Sequence, residues 1–175
     1  PQWVLTTGIR YDHYSDFGDT INPRLALVWA SSQDTTAKLL YGRAFRAPSI
    51  SELFATSNPV TLGNANLTPE TINTYELAFN HKLSAKLSYS SNIFYYQIDD
   101  FIVFEFNPVT FAKQAQNSGQ IEGHGFEHEM TYYATDELKL IGHYAYQTSK
   151  DKVHGGTLGE APNHDLYLRS EWDMS

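Results

Sequence analysis

The stretch His124-Gly125-Phe126-Glu127-His128 holds two imidazoles and a carboxylate within five positions, the residue types from which zinc hydrolases draw ligands and a base. That chemistry needs the two histidines on one face of a helix, four residues apart. Here glycines flank the first histidine, and apolar residues alternate with charged ones, so the segment reads as a β-strand. Four residues of strand span roughly 13 Å, too far for two metal bonds of about 2.1 Å to one ion. No metal site is expected there. Ser and His are plentiful elsewhere, but the chain contains no Gly-x-Ser-x-Gly elbow, no His-Glu-x-x-His and no phosphate-cradling glycine loop. The absence of Cys removes thiolate sites and disulfide scaffolds. The chain therefore reads as not being an enzyme, and no cofactor is expected.

The charges point away from nucleic acid as well. The 12 Lys and Arg are scattered among 20 Asp and Glu, for a net charge of −8, whereas phosphate binding needs clustered cations. At 175 residues and 41% hydrophobic content the chain would suit one compact soluble domain. Its aromatics, 14% with 12 Tyr and 10 Phe, and its Pro and Gly breaks between short alternating runs indicate β architecture instead. No run reaches the 18 or so apolar residues of a membrane helix. The mean hydropathy of −0.42 still permits a membrane barrel, whose strands need only about 9–11 alternating residues. No leader precedes Pro1-Gln2-Trp3, so the true N-terminus is expected elsewhere.

The elements that position these side chains follow from a period of two, which gives about eight strands with an apolar and a polar face. Trp3, Leu5, Ile9 and Tyr11 oppose Gln2, Thr6, Gly8 and Arg10, and Leu25, Leu27 and Trp29 oppose Arg24, Ala26 and Ala30. A third strand lies near Ala37 to Arg46. Tyr75, Leu77 and Phe79 oppose Glu76, Ala78 and Asn80, and Leu87, Tyr89, Ile93 and Tyr95 oppose Ser88, Ser90 and Asn92. From Phe94 to Phe106 the alternation is lost. It returns with Phe126, Met130 and Tyr132 against Glu127, Glu129 and Thr131, then with Leu138, Leu140, Tyr144 and Tyr146, and last with Leu166, Leu168 and Trp172.

A soluble sandwich and a membrane barrel both fit such strands. Loop lengths favour the barrel: the connections at 31–34, 83–85 and 134–137 are short, the alternate ones longer, and one, from Ala47 to about Ile72, is very long. Aromatics at strand ends, among them Trp3, Tyr11, Tyr14, Trp29, Phe45, Tyr132, Tyr133 and Trp172, match interfacial girdles. On this reading Arg24, Lys38, Arg43, Arg46 and Arg169 alternate with Glu76, Glu127, Glu129, Asp165 and Glu171 on the lumen side, where such charges mostly pair with one another or with a plug. Pro48 reads as ending strand pairing, and Thr68-Pro69-Glu70 as a turn re-entering the barrel.

Tyr41-Gly42-Arg43-Ala44-Phe45-Arg46-Ala47-Pro48-Ser49, then Glu52-Leu53-Phe54, Gly63-Asn64-Ala65-Asn66-Leu67, Pro69-Glu70 and Tyr75-Glu76-Leu77 follow one another in order, and this series resembles the barrel of TonB-dependent outer-membrane receptors. Ile98-Asp99-Asp100-Phe101-Ile102, Asn117-Ser118-Gly119 and Gly123-His124-Gly125-Phe126-Glu127 continue the resemblance. It departs at Ala161-Pro162-Asn163-His164, where His164 stands in place of the family's frequent Arg.

The resemblance implies an all-β, antiparallel up-and-down transmembrane barrel in the outer membrane of a Gram-negative bacterium. Residues 1–175 would form about eight strands of 22, without the N-terminal plug that contacts TonB and without the closing strand. It implies uptake of a ferric siderophore or similar iron chelate. Other readings are vitamin B12 or haem as cargo, a passive porin or adhesin barrel, and a barrel hydrolase. Haem receptors of the family carry a histidine between the two loop motifs, and none occurs from Ser49 to Thr68. The implied motif residues are Phe45, Arg46, Ala47, Pro48, Glu52, Leu53, Asn64, Asn66, Leu67, Pro69, Glu70, Tyr75 and Glu76, with the cargo-contacting residues unassigned. Expected partners are the cargo, TonB through the plug, and outer-membrane lipid. An isolated slice would expose two strand edges and is expected to pair edge to edge.

Overall fold

A computed structural model of the chain describes residues 1–56, 61–109, 111–158 and 162–174. Within these, the period-two runs form β1 (Gln2–Tyr14), β2 (Gly18–Ala30), β3 (Thr35–Arg46), β4 (Thr61–Leu62), β5 (Glu70–Lys82), β6 (Leu87–Asn107), β7 (Ala112–Tyr133), β8 (Leu138–Asp151) and β9 (His164–Trp172), with one short helix, α1 (Ile50–Phe54). The long strands pair antiparallel, each with its sequence neighbour, in the order β1-β2-β3-β5-β6-β7-β8-β9, and β4 adds to β7 in parallel. The sheet is open at β1 and β9. No described helix is long and apolar enough to cross a membrane.

Directly paired residues share a face, so the register turns the alternation into rows across the sheet. One row runs Leu5, Leu27, Leu39, Leu77, Ile93, Phe126 and Tyr146. Leu5, Leu39, Leu77 and Ile93 in it are all exposed, which identifies this as the lipid-facing side rather than a core. Two residues further along lies Tyr41, Tyr75, Tyr95 and His124, with the Tyr75 ring 5.0 Å from Tyr41 and 6.2 Å from Tyr95. Next comes the wholly polar row Arg43, Asn73, Gln97, Glu122 and Lys150. A tyrosine row followed by a charged row marks where the hydrocarbon ends. Arg43 therefore belongs to the outward face, not to the lumen with Arg24 and Lys38, because it is one residue out of step with both Gly42 and Ala44.

Two connections differ from the sequence reading. The segment from Phe94 to Phe106 stays in β6 as far as Asn107, and β6 and β7 form a hairpin of 21 and 22 residues. A strand of that length reaches about 70 Å, against an apolar band about 25 Å tall, so the hairpin stands far outside the membrane. Beyond the bilayer neither face must be apolar, and a bulge between Ile98 and Ile102, with Asp100 at φ 57°, breaks the period. The connection from β1 to β2 is only Ser15-Asp16-Phe17, so long loops do not occupy every outer position. The long loop spans 47–69, ending when β5 starts at Glu70, and its residues 57–60 lie outside the described residues, as does Ala161.

Glycines set the spacing of β7 against its neighbours. Phe94 pairs with Gly125 and Tyr96 with Gly123, and both rings lie across the space a β-carbon would fill. Aromatic cover of strand glycines secures this register.

Candidate functional site

The motif residues meet where the long loop folds back onto the β6–β7 hairpin. Arg46, the last residue of β3, pairs with Glu70, the first of β5, and its Nε donates to Glu70 Oε2 at 2.6 Å while Nη2 donates to Glu70 Oε1. The same guanidinium donates through Nη1 and Nη2 to both oxygens of Glu52 at 3.1 Å. Glu52 is held by α1, whose start forms a capping box. The Ser49 N–H donates to Glu52 Oε2 at 2.7 Å, and the Glu52 N–H donates to Ser49 Oγ at 3.3 Å. Pro48, buried just before the cap, supplies no amide that would need a partner. Glu70 Oε1 also accepts the Ile102 N–H at 2.8 Å, tying the clamp to the hairpin.

The second half of the loop is sewn to β7. Asn64 Nδ2 donates to the Ala115 carbonyl at 3.0 Å, and its Oδ1 accepts the Asn66 N–H at 3.0 Å. Asn117 Oδ1 accepts the Thr68 N–H at 2.8 Å, and its Nδ2 donates to the carbonyls of Thr68 and Asp100. Leu53, Leu67, Ile102 and Ala115 are buried together beneath. Fully burying a leucine contributes roughly 1.5–3 kcal/mol, which adds to the hydrogen bonds that anchor the loop. Gly63 is required here, since a β-carbon would sit 2.7 Å from the backbone of Leu53 and Ala55.

Of the motif residues, Arg46, Pro48, Glu52, Leu53, Asn64, Asn66, Leu67, Pro69 and Glu70 therefore belong to one box, which Ala47 enters as a linker. Phe45 lies beside it, its ring 5.9 Å from Tyr14. Tyr75 and Glu76 fall elsewhere: Tyr75 joins the outward tyrosine row, and Glu76 accepts Asn92 Nδ2 at 3.2 Å on the inward face. Gln114, whose Nε2 donates to the Gly63 carbonyl at 3.3 Å, and Ala115 complete the box without any signal in the sequence. The two histidines of the possible metal pair stand in different outward rows, and His128 Nδ1 is hydrogen bonded to the Tyr89 hydroxyl at 2.8 Å.

The clamp has a definite charge state. The hydrogen bonds to Glu70 and then Glu52 hold the Arg46 guanidinium above its ordinary value, against a lowering by burial. Burial alone would raise the Glu52 carboxyl, but the hydrogen bonds from Arg46 and Ser49 outweigh it and hold the group below the ordinary range. A depressed carboxyl stabilises the folded form above its unfolded pKa and stops doing so as pH falls through the folded one. Protease protection of the loop is therefore expected to be constant at neutral pH and to fall only in acid below the ordinary glutamate range. Glu52→Gln should flatten that profile; a profile identical in the variant would count against this assignment.

The chain matches the family described as TonB dependent receptor-like, beta-barrel, over residues 1–174. It is 27% identical over 205 residues to the ferric enterobactin receptor of Pseudomonas aeruginosa, covering 100% of this chain and 27% of the relative. It is 26% identical over 193 residues to an iron-regulated outer membrane virulence protein of Vibrio cholerae, covering 99% and 30%. A vitamin B12 transporter of Vibrio cholerae and a heme/hemopexin utilization protein of Haemophilus influenzae are also among its relatives. The crystal structure of an arginine-to-alanine mutant of the Pseudomonas aeruginosa ferric enterobactin receptor in complex with enterobactin superposes with a TM-score of 0.88 at 25% identity, over 100% of this chain and 29% of that one. The chain thus spans less than a third of these proteins' length. An open run of antiparallel strands with lipid-facing rows, matched end to end by such a profile, is a section of outer-membrane barrel wall, and the chain belongs to the TonB-dependent receptor β-barrel family.

Proposed function

We propose that the chain forms part of the wall and outer loops of an importer for a ferric siderophore or similar iron chelate. Cargo binds on the outside, and TonB acts on a plug domain beyond this chain to release it inward. The observation that carries this reading is the box around Arg46, which builds a folded outer loop onto a hairpin standing outside the membrane, where a cargo would first arrive. The named functions of the iron-related relatives support the same cargo class. None of the relatives and structures named above is described as a passive porin, an adhesin or a hydrolase.

The motif residues from Arg46 to Glu70 serve on this reading to shape the loop, since their polar groups are spent on one another and on the hairpin. The competing cargo is haem, named in the heme/hemopexin utilization protein among the relatives. The lack of histidine between Ser49 and Thr68 favours a siderophore. A strain lacking the full-length receptor, grown on single iron sources, is expected to lose growth on one or more ferric siderophores and to keep growth on haem. Loss on haem alone would overturn the siderophore reading.

A further inference from the structure

The lumen face of β6 changes character partway along the strand. Its inward positions, each one residue out of step with the lipid-facing row, are Ser88, Ser90 and Asn92, then Phe94, Tyr96 and Ile98. The paired positions of β7 switch at the same height, from Thr131, Glu129 and Glu127 to Gly125, Gly123 and Ile121. A barrel lumen is ordinarily polar, so the membrane does not account for aromatic rings on this side.

The rings lie down against the wall. A β-carbon at Gly123 would land on the end of the Tyr96 ring, one at Gly125 would sit 2.7 Å from Phe94 Cζ, and one at Gly119 would sit 3.0 Å from Phe101 Cδ1. Beside Tyr96 and Phe101 is a cavity of about 330 Å³, to which β6 and β7 also contribute Ile98 and Ile121. β8 adds Gln147 and Ser149, and the connection from β8 to β9 adds Leu158 and Asn163. That connection is fixed in place, since the Leu158 N–H donates to the Ser149 carbonyl at 3.0 Å and the Gln147 N–H donates to the Asn163 carbonyl at 2.9 Å. Among the described residues, no charged side chain lines the cavity. Apolar walls with a few convergent amides and hydroxyls are the makeup of a small-molecule site, and the volume is at the small end of such sites.

We propose that this pocket binds one uncharged, flat aromatic ring bearing a carboxamide or similar polar group. The ring packs on Tyr96 and Phe101, and the polar group meets Gln147, Ser149 and Asn163. Aromatic pairs gain more than the area they bury. A charged group is disfavoured, because the lining offers no counter-ion. That such a ring arrives as one arm of the cargo rests on the import reading; the binding itself does not.

Calorimetry on the full-length receptor in detergent, with empty micelles as the blank, tests this with benzamide, cyclohexanecarboxamide and benzoate. The first two share an amide and differ in a flat against a puckered ring, and the third keeps the flat ring and adds a charge. Benzamide is expected to bind about fivefold more tightly than cyclohexanecarboxamide, the worth of one aromatic contact, although the saturated ring is the more apolar. Benzoate should bind about tenfold more weakly than benzamide. Tyr96→Leu and Phe101→Leu should each weaken benzamide about fivefold and leave cyclohexanecarboxamide little changed. Leu158→Glu should abolish benzamide binding; it lies outside the long strands, so it decides the matter if the aromatic variants fail to fold. No saturable binding of benzamide, equal or tighter binding of cyclohexanecarboxamide, or benzamide affinity unmoved by all three variants would each overturn the proposal. The probes carry no iron and are measured without transport, so a failure of ferric-chelate uptake by the full-length receptor would count against the import reading alone.

Discussion

Gly125→Val is expected to abolish assembly of the barrel wall. Any β-carbon at position 125 would land on the Tyr146 carbonyl oxygen and 2.7 Å from Phe94 Cζ, with the Gln147 Cα at 3.0 Å. Phe94 could rotate away, but the other two obstacles are backbone of the paired strand β8 and cannot move without opening the ladder. Ordinary overpacking costs about 1–3 kcal/mol, and this substitution should exceed it. Heat-modifiable migration of the full-length protein in gels, which reports a closed barrel, should be lost. Gly142→Ala is the control, because its β-carbon would meet only Leu168 Cδ2 at 3.5 Å on the lipid face. It should change stability by less than about 0.5 kcal/mol. Equal behaviour of the two variants would refute the close approach at Gly125.

Arg46→Gln is expected to release the outer loop while leaving the barrel closed. The Glu70 side chain is 7% exposed, so losing the guanidinium strands a carboxylate that keeps only the Ile102 amide. Breaking a fully buried pair costs about 3–5 kcal/mol. Because Arg46 itself is 47% exposed, water can partly replace it, and about 2–3 kcal/mol is expected here. Hydrogen exchange should rise through 47–56 and 61–69 and at the Ile102 amide, and on the proposed import reading ferric-chelate uptake by the full-length receptor should fall. Adding Glu70→Gln to Arg46→Gln should restore part of the protection, since the stranded charge is then gone. If the double variant is as open as the single, the charge of Glu70 is not the cause.

The strands were legible because one face must be apolar wherever lipid touches it. Leu5, Leu27, Leu39 and Leu77 repeat that constraint strand after strand, and they fall in one row. The upper part of β6 was not legible, because outside the bilayer the constraint lapses and the bulge at Asp100 shifts the phase. Arg43 shows a subtler limit: charge type alone suggested the lumen, whereas at the rim of the bilayer a charge is tolerated on either face, and only the register assigns it. The box was visible through its motif residues but not as a contact. Arg46 lies 24 positions from Glu70 and 6 from Glu52, and no local periodicity links them. Asn64 reaches Ala115 across 51 positions, a pairing set by the hairpin's height rather than by either residue's neighbours.

The same separations set an order of events in folding. The β6–β7 hairpin can close from its tip, where Asn107 faces Ala112, and each further pair then costs little chain entropy because the preceding pair has already brought the ends together. In the 47–69 loop the local structure, α1 with its cap, does not by itself reach the hairpin. The loop's anchors, Asn64 to Ala115 and Thr68 to Asn117, join positions 51 and 49 apart, and both acceptor groups exist in place only once β7 is zipped. The loop is thus a late-docking piece on a template that forms early, and whatever slows the hairpin delays the docking with it.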